Sequence, residues 1–174
     1  INAITSYYET MNANIHRGIH LLSEESTEAF EHTRTRVAAF INAKSVQEIV
    51  FTKICTGSIN LVAHSWGRQN ISAGDEIIVS AYEHHANLVP WQVLAREKGA
   101  ILRVIPLKED LTLDSEAYEH MLSSKTKLVC VTAQSNVLGI KPPLKEIISS
   151  AHAVGAKVLV DGAQYVGHGE TNVQ

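Results

Sequence analysis

Residues 127–164 constrain the fold more than any other part of the chain, because they form the pattern of one β-loop-α-β unit. An apolar run at residues 128–131 leads into a polar loop, and an amphipathic helical pattern follows and stops at Gly155. A second apolar run, residues 158–160, ends in Asp161. We therefore expect a carboxylate at the carboxyl end of a buried parallel strand, where open α/β sheets bind their ligands.

Size and composition limit the class of function. With 174 residues, 45% of them hydrophobic, the chain is long enough for one domain with a substantial core. The net charge of −3 and the lack of a Lys/Arg-rich run give no reason to expect nucleic-acid or membrane-surface binding. No apolar stretch approaches the roughly 20 residues of a membrane-spanning helix. We therefore expect small-molecule chemistry.

The two cysteines, Cys55 and Cys130, lie far apart and form no CxxC spacing. This pattern argues against a zinc site or a disulfide framework and suits a reducing cytosol, so we expect a cytoplasmic protein. Both cysteines are interpreted as small buried side chains.

Helical and strand patterns alternate along the chain. In addition to the unit described above, helices are predicted over residues 1–12, 23–42, 57–68, 86–98 and 115–123. Strands are predicted over residues 48–53, 76–80 and 101–106. The core face of the long second helix is expected to carry Phe30, Val37, Phe40 and Ile41. The alternation predicts an α/β fold with a doubly wound, mostly parallel or mixed sheet and helices on both faces.

Polar residues follow the predicted strands. Thr56 lies in the segment CTGS after the first strand, at a helix start where free N–H groups and hydroxyls favour a phosphate. The alternative is an ordinary hydroxyl cap of that helix.

The segment YEHHAN follows the strand at residues 76–80. Its imidazoles, from His84 and His85, could stack on a planar ligand, shuttle protons or remain solvated on a loop. Adjacent side chains diverge and cannot easily face one metal ion, so no metal site is predicted.

Asp161 is the sharper signal, because an unpaired carboxylate beside an apolar strand costs several kcal/mol. Its partner could be structural, such as a lysine or a helix N-terminus, or it could be the protonated pyridine nitrogen of a bound cofactor. Asn136 and Gln164 follow strands at the same sheet edge and could orient a ring substituent or satisfy local backbone groups.

Five ordered motifs together resemble one known family. They read HRGIH, FTKICTGSINLVAHSWG, EHHANLVPW, SNVLG and VLVDGAQ, and they extend over the whole chain. They resemble the pyridoxal-phosphate-dependent cysteine desulfurases of the class V aminotransferase group. The segments HRGIH and EHHAN are similar to those of the branch that mobilises sulfur for iron–sulfur clusters and includes selenocysteine lyases. The resemblance implies the three-layer α/β large domain of fold-type I transferases.

The resemblance also implies one cofactor site, for pyridoxal 5'-phosphate. Asp161 would pair with the protonated pyridine nitrogen, and Gln164 would hydrogen-bond the phenolic oxygen of the ring. His84 would stack on the ring and assist proton transfers, and Thr56 would hold the phosphate. Asn136 would lie close to the ring and the substrate carboxylate.

The resemblance further implies a substrate and partners. His16 and Arg17 would line the entrance, near a dimer interface. The family releases sulfur from L-cysteine, which yields alanine and an enzyme persulfide, and passes it to a sulfur-acceptor protein. A cytoplasmic homodimer is therefore expected.

One motif departs from the family pattern. The stretch that usually reads close to R-G-T-T-E is KICTG here. Ile54 places a branched side chain where a glycine usually permits a tight turn, and Gly57 removes a carboxylate. The phosphate affinity and the entrance contacts therefore cannot be carried over from the family.

Three functional groups of the family match no residue of this sequence: the Schiff-base lysine of an S-G-H-K motif, the catalytic cysteine and the substrate-binding arginine. The first residue is Ile1, and Gln174 follows closely on the Asp161 strand. We expect an internal fragment in which residues 1–174 are a partial large cofactor-binding domain, without the small domain and inactive alone.

Two other functions are compatible with the sequence. The chain could be a truncated, non-catalytic module that dimerises or binds a sulfur-transfer partner. It could also belong to a selenocysteine lyase, a kynureninase or a related class V enzyme, since these share the carboxylate–cofactor pairing.

Overall fold

The computed structural model describes all 174 residues, which form two compact units. One unit contains Ile1–Phe51 with Glu170–Gln174, and the other contains Thr52–Gly169. None of the helices combines the length and the apolar character needed to cross a bilayer.

The first unit is helical, as predicted for most of its length. It contains α1 (Asn2–Thr10), α2 (Leu21–Phe40) and a 3-10 turn at Val46–Glu48. The predicted core face of α2 is wrong at Phe40, whose side chain is 64% exposed. The helix instead buries Ser23, whose hydroxyl donates to a carbonyl of the preceding loop. The covered face of α2 therefore includes a polar residue near the helix start, where the preceding loop contacts it.

The strand predicted over residues 48–53 does not form. This segment packs against α2 instead. The Phe51 and Phe30 rings meet edge to face with centroids 5.3 Å apart, and the Arg34 guanidinium lies over the Phe30 ring. Arg34 also donates to the carbonyl of Ile49 at 3.4 Å. Of the apolar side chains that the strand pattern assigned to a sheet, Ile49 is buried and Phe51 contacts α2, whereas Val50 is 66% exposed.

The second unit contains a four-stranded parallel sheet in the order β2-β1-β3-β4. Its strands are β1 (Glu76–Ser80), β2 (Ile101–Ile105), β3 (Thr126–Thr132) and β4 (Lys157–Asp161). All four were predicted from their apolar runs. The predicted α/β class is confirmed, and every strand pair is parallel.

Helices connect the strands and cover both faces of the sheet. They are α3 (Cys55–Val62), a π-helical segment (Ala63–Gly67), α4 (Arg68–Asn70), a 3-10 turn (His85–Asn87), α5 (Val89–Lys98), α6 (Ser115–Met121) and α7 (Leu144–Ala153). Gly99 ends α5 in the left-handed region, with φ of +67°, which glycine adopts without steric cost. Asp114 caps α6 by accepting a hydrogen bond from the Ala117 N–H group at 3.0 Å.

Successive strand residues alternate between two cores, as the period of a strand requires. Ile77 and Val79 of β1 face the core that contains Trp91 of α5, whereas Ile78 faces the core that contains Tyr118 of α6. Both cores are sealed, because these five side chains are at most 2% exposed. The two central strands, β1 and β3, are therefore buried on both faces and hold the loops at their ends in fixed positions. The edge strands β2 and β4 are partly exposed, so the strand that ends in Asp161 is less buried than expected.

The chain order creates a switch point between β1 and β3. The connection after β1 leads to β2 on one side, and the connection after β3 leads to β4 on the other. The loops that follow these two central strands therefore diverge and leave a crevice at the carboxyl edge of the sheet.

Candidate active site

A cavity of about 300 Å³ lies at this crevice. All five residues proposed above for cofactor binding line it: Thr56, His84, Asn136, Asp161 and Gln164. They come from the start of α3 and from the loops or ends of β1, β3 and β4. The structure therefore brings together residues that are up to 108 positions apart in the sequence.

Asp161 ends β4 and is only 7% exposed. Its Oδ1 accepts a hydrogen bond from the Ala163 N–H group at 3.0 Å and one from the Cys55 thiol at 3.4 Å. Its Oδ2 has no donor within the chain, and no Lys, Arg or His nitrogen lies within 4.0 Å of the carboxylate. The structural alternative of a lysine partner is therefore wrong. A buried carboxylate without a cation suits a cationic ligand, which would offset the cost of its burial.

Cys55 is an exposed residue that lines the cavity beside Asp161, so the prediction that it is a buried side chain is wrong. Partial burial of the thiol and the neighbouring Asp161 carboxylate raise its pKa from 9.0 to about 11. The thiol therefore stays protonated at neutral pH and can donate to Asp161. Cys130, by contrast, is fully buried in β3, as predicted.

This raised pKa predicts slow alkylation of Cys55. Its thiolate is about a hundredfold scarcer than for a cysteine of ordinary pKa, and the higher intrinsic nucleophilicity offsets about tenfold of that. Iodoacetamide should therefore modify Cys55 about tenfold more slowly than a free thiol, and the rate should rise about tenfold per pH unit until pH 11. Mass spectrometry of a Cys130→Ser variant over a pH series would measure this. A rate that levels off near pH 9 would contradict the raised pKa of Cys55.

The start of α3 has no side-chain cap, so the capping interpretation of Thr56 is wrong. The N-cap residue is Ile54, and the Thr56 hydroxyl makes no hydrogen bond within the chain. The free N–H groups of the first helical turn and this hydroxyl are therefore available to an anion at the cavity wall.

The departures from the family pattern cause no backbone strain at this helix start. Ile54 is extended, with φ of −153° and ψ of 163°, a conformation that any residue adopts. A Cβ added at Gly57 would meet nothing nearer than an Ile54 side-chain carbon at 4.0 Å. The glycine that the family uses is thus not required by this backbone.

His84 lies at the N-terminus of the 3-10 turn that follows β1. Its Nδ1 accepts a hydrogen bond from the Ala86 N–H group at 3.1 Å. In the neutral ring this leaves the proton on Nε2. The hydrogen bond fixes the orientation of the ring at the cavity.

Three amide side chains line the cavity without a partner in the chain. Asn136 and Gln164 make no side-chain hydrogen bond, so the alternative that they satisfy local backbone is wrong. The Oε1 atom of Gln134 is buried and also lacks a hydrogen-bond partner. These groups are available to hydrogen-bond a polar ligand, which would remove the cost of leaving Gln134 unpaired.

Sequence reasoning missed Gln134 and Glu83 as residues of this region. Gln134 comes two residues after β3 and lines the cavity, and Glu83 directly precedes His84. Their polar side chains, placed just after predicted parallel strands, could have indicated them, since a polar residue that is buried at such a position needs a hydrogen-bond partner.

His16 and Arg17 belong to the first unit. His16 Nε2 lies 3.2 Å from a carboxylate oxygen of Glu31, and its ring meets Phe30 edge to face. Arg17 is exposed. Their role at an entrance stays a prediction.

The fold and the cavity define a class of protein: an α/β domain that offers an unpaired carboxylate to a cation and a helix start to an anion. More narrowly, the chain belongs to the class V aminotransferase family, whose model matches residues 1–174.

Named relatives agree with this assignment. The chain is 52% identical over 174 residues to a cysteine desulfurase of Enterobacter sp. (strain 638), which covers all of this chain and 43% of the relative. It matches the apo structure of a cysteine desulfurase from Thermococcus onnurineus NA1 with a TM-score of 0.93 and 41% identity, over 99% of this chain and 42% of that one.

A third match contains the cofactor. It is a mutant of C-DES with glycine covalently linked to its PLP cofactor, at a TM-score of 0.82 and 25% identity, over 98% of this chain and 45% of that one. The chain thus spans less than half the length of each of these relatives.

Proposed function

We propose that the protein that carries this chain is a PLP-dependent cysteine desulfurase, which releases sulfur from L-cysteine and forms alanine and an enzyme persulfide. The observation that carries this proposal is the buried Asp161 carboxylate, whose Oδ2 faces no donor or cation in the chain. A protonated pyridine nitrogen is a ligand that such a carboxylate stabilises.

The residues of the cavity fit pyridoxal phosphate at both ends. Asp161 would hold the proton on the ring nitrogen, and Thr56 with the first turn of α3 would hold the phosphate. Gln164 would hydrogen-bond the phenolic oxygen, and Asn136 would lie near the ring and the substrate carboxylate. When bound, the cofactor supplies an electron sink.

His84 would cover the ring and move protons at its Nε2. The Ala86 N–H group occupies Nδ1, so only Nε2 is free to exchange a proton with a substrate. Ring orientation and proton transfer would therefore depend on the same backbone contact.

Substrate and partners follow from the curated relatives, which are named cysteine desulfurases. L-cysteine would be the substrate, and a sulfur-acceptor protein would take the persulfide sulfur for iron–sulfur cluster assembly. We further propose a homodimer in the cytoplasm, with His16 and Arg17 near the entrance. The two unpaired cysteines suit a reducing compartment.

The test uses the whole open reading frame that carries these 174 residues. With pyridoxal phosphate and L-cysteine it should form alanine and persulfide sulfur in equal amounts, while residues 1–174 alone, as a partial large domain, should form neither. Alanine formation from selenocysteine but not from L-cysteine would favour a selenocysteine lyase, and alanine from kynurenine would favour a kynureninase. A protein that binds no pyridoxal phosphate would instead be the non-catalytic, dimerising or partner-binding module.

A further inference from the structure

Glu83 is a half-buried carboxylate to which the proposed function assigns no role. Its Oε1 accepts hydrogen bonds from the Ser80 hydroxyl and from the Thr132 N–H group, the latter at 2.7 Å. Its Oε2 accepts from Asn87 Nδ2 at 2.6 Å. The three donors belong to the end of β1, the end of β3 and the 3-10 turn before α5. One side chain therefore joins three separate elements at the carboxyl edge of the sheet.

Glu83 accepts a hydrogen bond from β3 at the point where the pairing of β1 with β3 ends. The last residue pair of these strands is Val79 with Cys130, so the Thr132 N–H group lies beyond β1 and needs another acceptor. The Glu83 carboxylate supplies it. Thr132 is in turn paired with Asp161 of β4. Glu83 is thus hydrogen-bonded to the residue that adjoins Asp161 in the sheet.

The other oxygen of Glu83 holds the 3-10 turn in place. Asn87 is 0% exposed, and its Oδ1 accepts a hydrogen bond at 2.9 Å from the Nε1 of Trp91, which is also fully buried. Because that oxygen is occupied, the amide group of Asn87 must point towards Glu83. Asn87, the last residue of the turn that follows His84, is therefore held on both sides of its amide group, by Glu83 and by Trp91.

We propose that Glu83 is a positioning residue that fixes the His84 turn relative to the Asp161 carboxylate. The proposal rests on the proposed function for the roles of His84 and Asp161, but not for the contacts themselves.

The energetics agree with this role. Burial raises the pKa of Glu83 to about 7, the Asp161 carboxylate adds to the rise, and the donors on Ser80, Asn87 and Thr132 oppose it. Burial and the nearby Glu83 carboxylate in turn raise the pKa of Cys130 of β3. An acid without a cation beside a second acid is costly to retain. The three hydrogen bonds that Glu83 accepts offset part of that cost.

The test exchanges the donor and the acceptor between Glu83 and Asn87. In Glu83→Gln, the new NH₂ group faces the NH₂ group of Asn87, so two donors oppose each other. Asn87 cannot turn its oxygen towards the glutamine, because that oxygen already accepts from Trp91. Asn87→Asp alone sets two carboxylates against each other. The double variant restores one donor and one acceptor, and it should therefore rescue the turn.

The readouts are amide hydrogen exchange at Ala86 without ligand, and pyridoxal phosphate affinity and turnover in the whole protein. Each single variant should speed hydrogen exchange at Ala86, weaken cofactor binding and lower kcat. We expect a change of about tenfold in each of these three quantities and a smaller change in KM. The double variant should return to within about threefold of the wild type.

Glu76→Gln is the matched control, because Glu76 is a buried carboxylate at the opposite end of β1. It accepts hydrogen bonds from Arg103 at 3.2 Å and from the Ser123 hydroxyl at 2.8 Å. This variant should lower the melting temperature but change cofactor affinity by less than about twofold. Equal effects of Glu76→Gln and Glu83→Gln on cofactor affinity, or no rescue by the double variant, would overturn the proposal.

The exchange measurement separates this proposal from the proposed function. If the wild type binds no pyridoxal phosphate but Glu83→Gln still speeds exchange at Ala86 and the double variant reverses it, the proposed function fails and the positioning role stands. Unchanged exchange at Ala86 in Glu83→Gln would overturn the positioning role, whatever the wild type binds.

Discussion

Replacing Asp161 by asparagine is expected to lower alanine formation from L-cysteine at least about a hundredfold, or about 2.7 kcal/mol of transition-state stabilisation. Asparagine keeps the size of the side chain and an oxygen that can accept from the Ala163 N–H group. It removes the negative charge that would hold a proton on the ring nitrogen. The loss should therefore appear in kcat, measured by alanine release from the whole protein saturated with pyridoxal phosphate.

Asp114→Asn provides the matched control for this prediction. Asp114 caps α6 through its Oδ1, and asparagine caps a helix as well as aspartate does. This variant should keep the wild-type rate. Wild-type turnover in Asp161→Asn would show that the charge of Asp161 takes no part in the reaction.

Replacing Trp91 by alanine is expected to cost about 3–5 kcal/mol of unfolding free energy. The ring is fully buried in the core between the sheet and α5, and its Nε1 donates to Asn87. Its removal leaves a cavity beside Gly67, where an added Cβ would lie 3.8 Å from the Trp91 ring and 2.7 Å from a Leu94 methyl carbon. Urea unfolding followed by circular dichroism would measure the change.

Two variants of the same helix make this measurement interpretable. Val93→Ala removes apolar atoms from a side chain that is 47% exposed, and should cost no more than about 0.5 kcal/mol. Trp91→Phe keeps a ring in the core but leaves the Asn87 oxygen unpaired, and should cost about 1–2 kcal/mol. Equal costs for Trp91→Ala and Val93→Ala would mean that the α5 core contributes little to stability.

The sheet of the second unit was predictable because its strands are short apolar runs that end in polar residues. Residues 76–80 could be predicted without knowledge of their neighbours, since β1 is buried on both faces and its central side chains are all apolar. Residues 158–160 carry the same apolar pattern, although they lie on an edge strand where Val160 is 40% exposed. The apolar run around Phe51 looks the same in the sequence, yet it packs against α2. Local patterns cannot distinguish the two outcomes, because the choice depends on whether a neighbouring strand is within reach.

The candidate site was predictable by residue type but not by contact. The convergence of Thr56, His84 and Asp161 follows from strand ends that share one edge of a sheet, so the sequence could indicate it. The hydrogen bond from Cys55 to Asp161 joins residues 106 positions apart. The link between Glu83 and Thr132 likewise depends on strand order. No periodicity in the sequence records either contact.

The π-helical segment at Ala63–Gly67 sets the rotational phase between the two ends of its helix. Wider turns there carry more residues than an α-helix does, so the chain before and after the segment is out of step with a continuous α-helix. If the same residues adopted regular α geometry instead, Thr56 would turn by about 100° about the helix axis relative to Gly67, because an α-helix uses fewer residues per turn. Since Gly67 is fitted closely against α5, the cavity end of the helix would have to move. The wider turn of this segment therefore determines the direction in which the Thr56 side chain points.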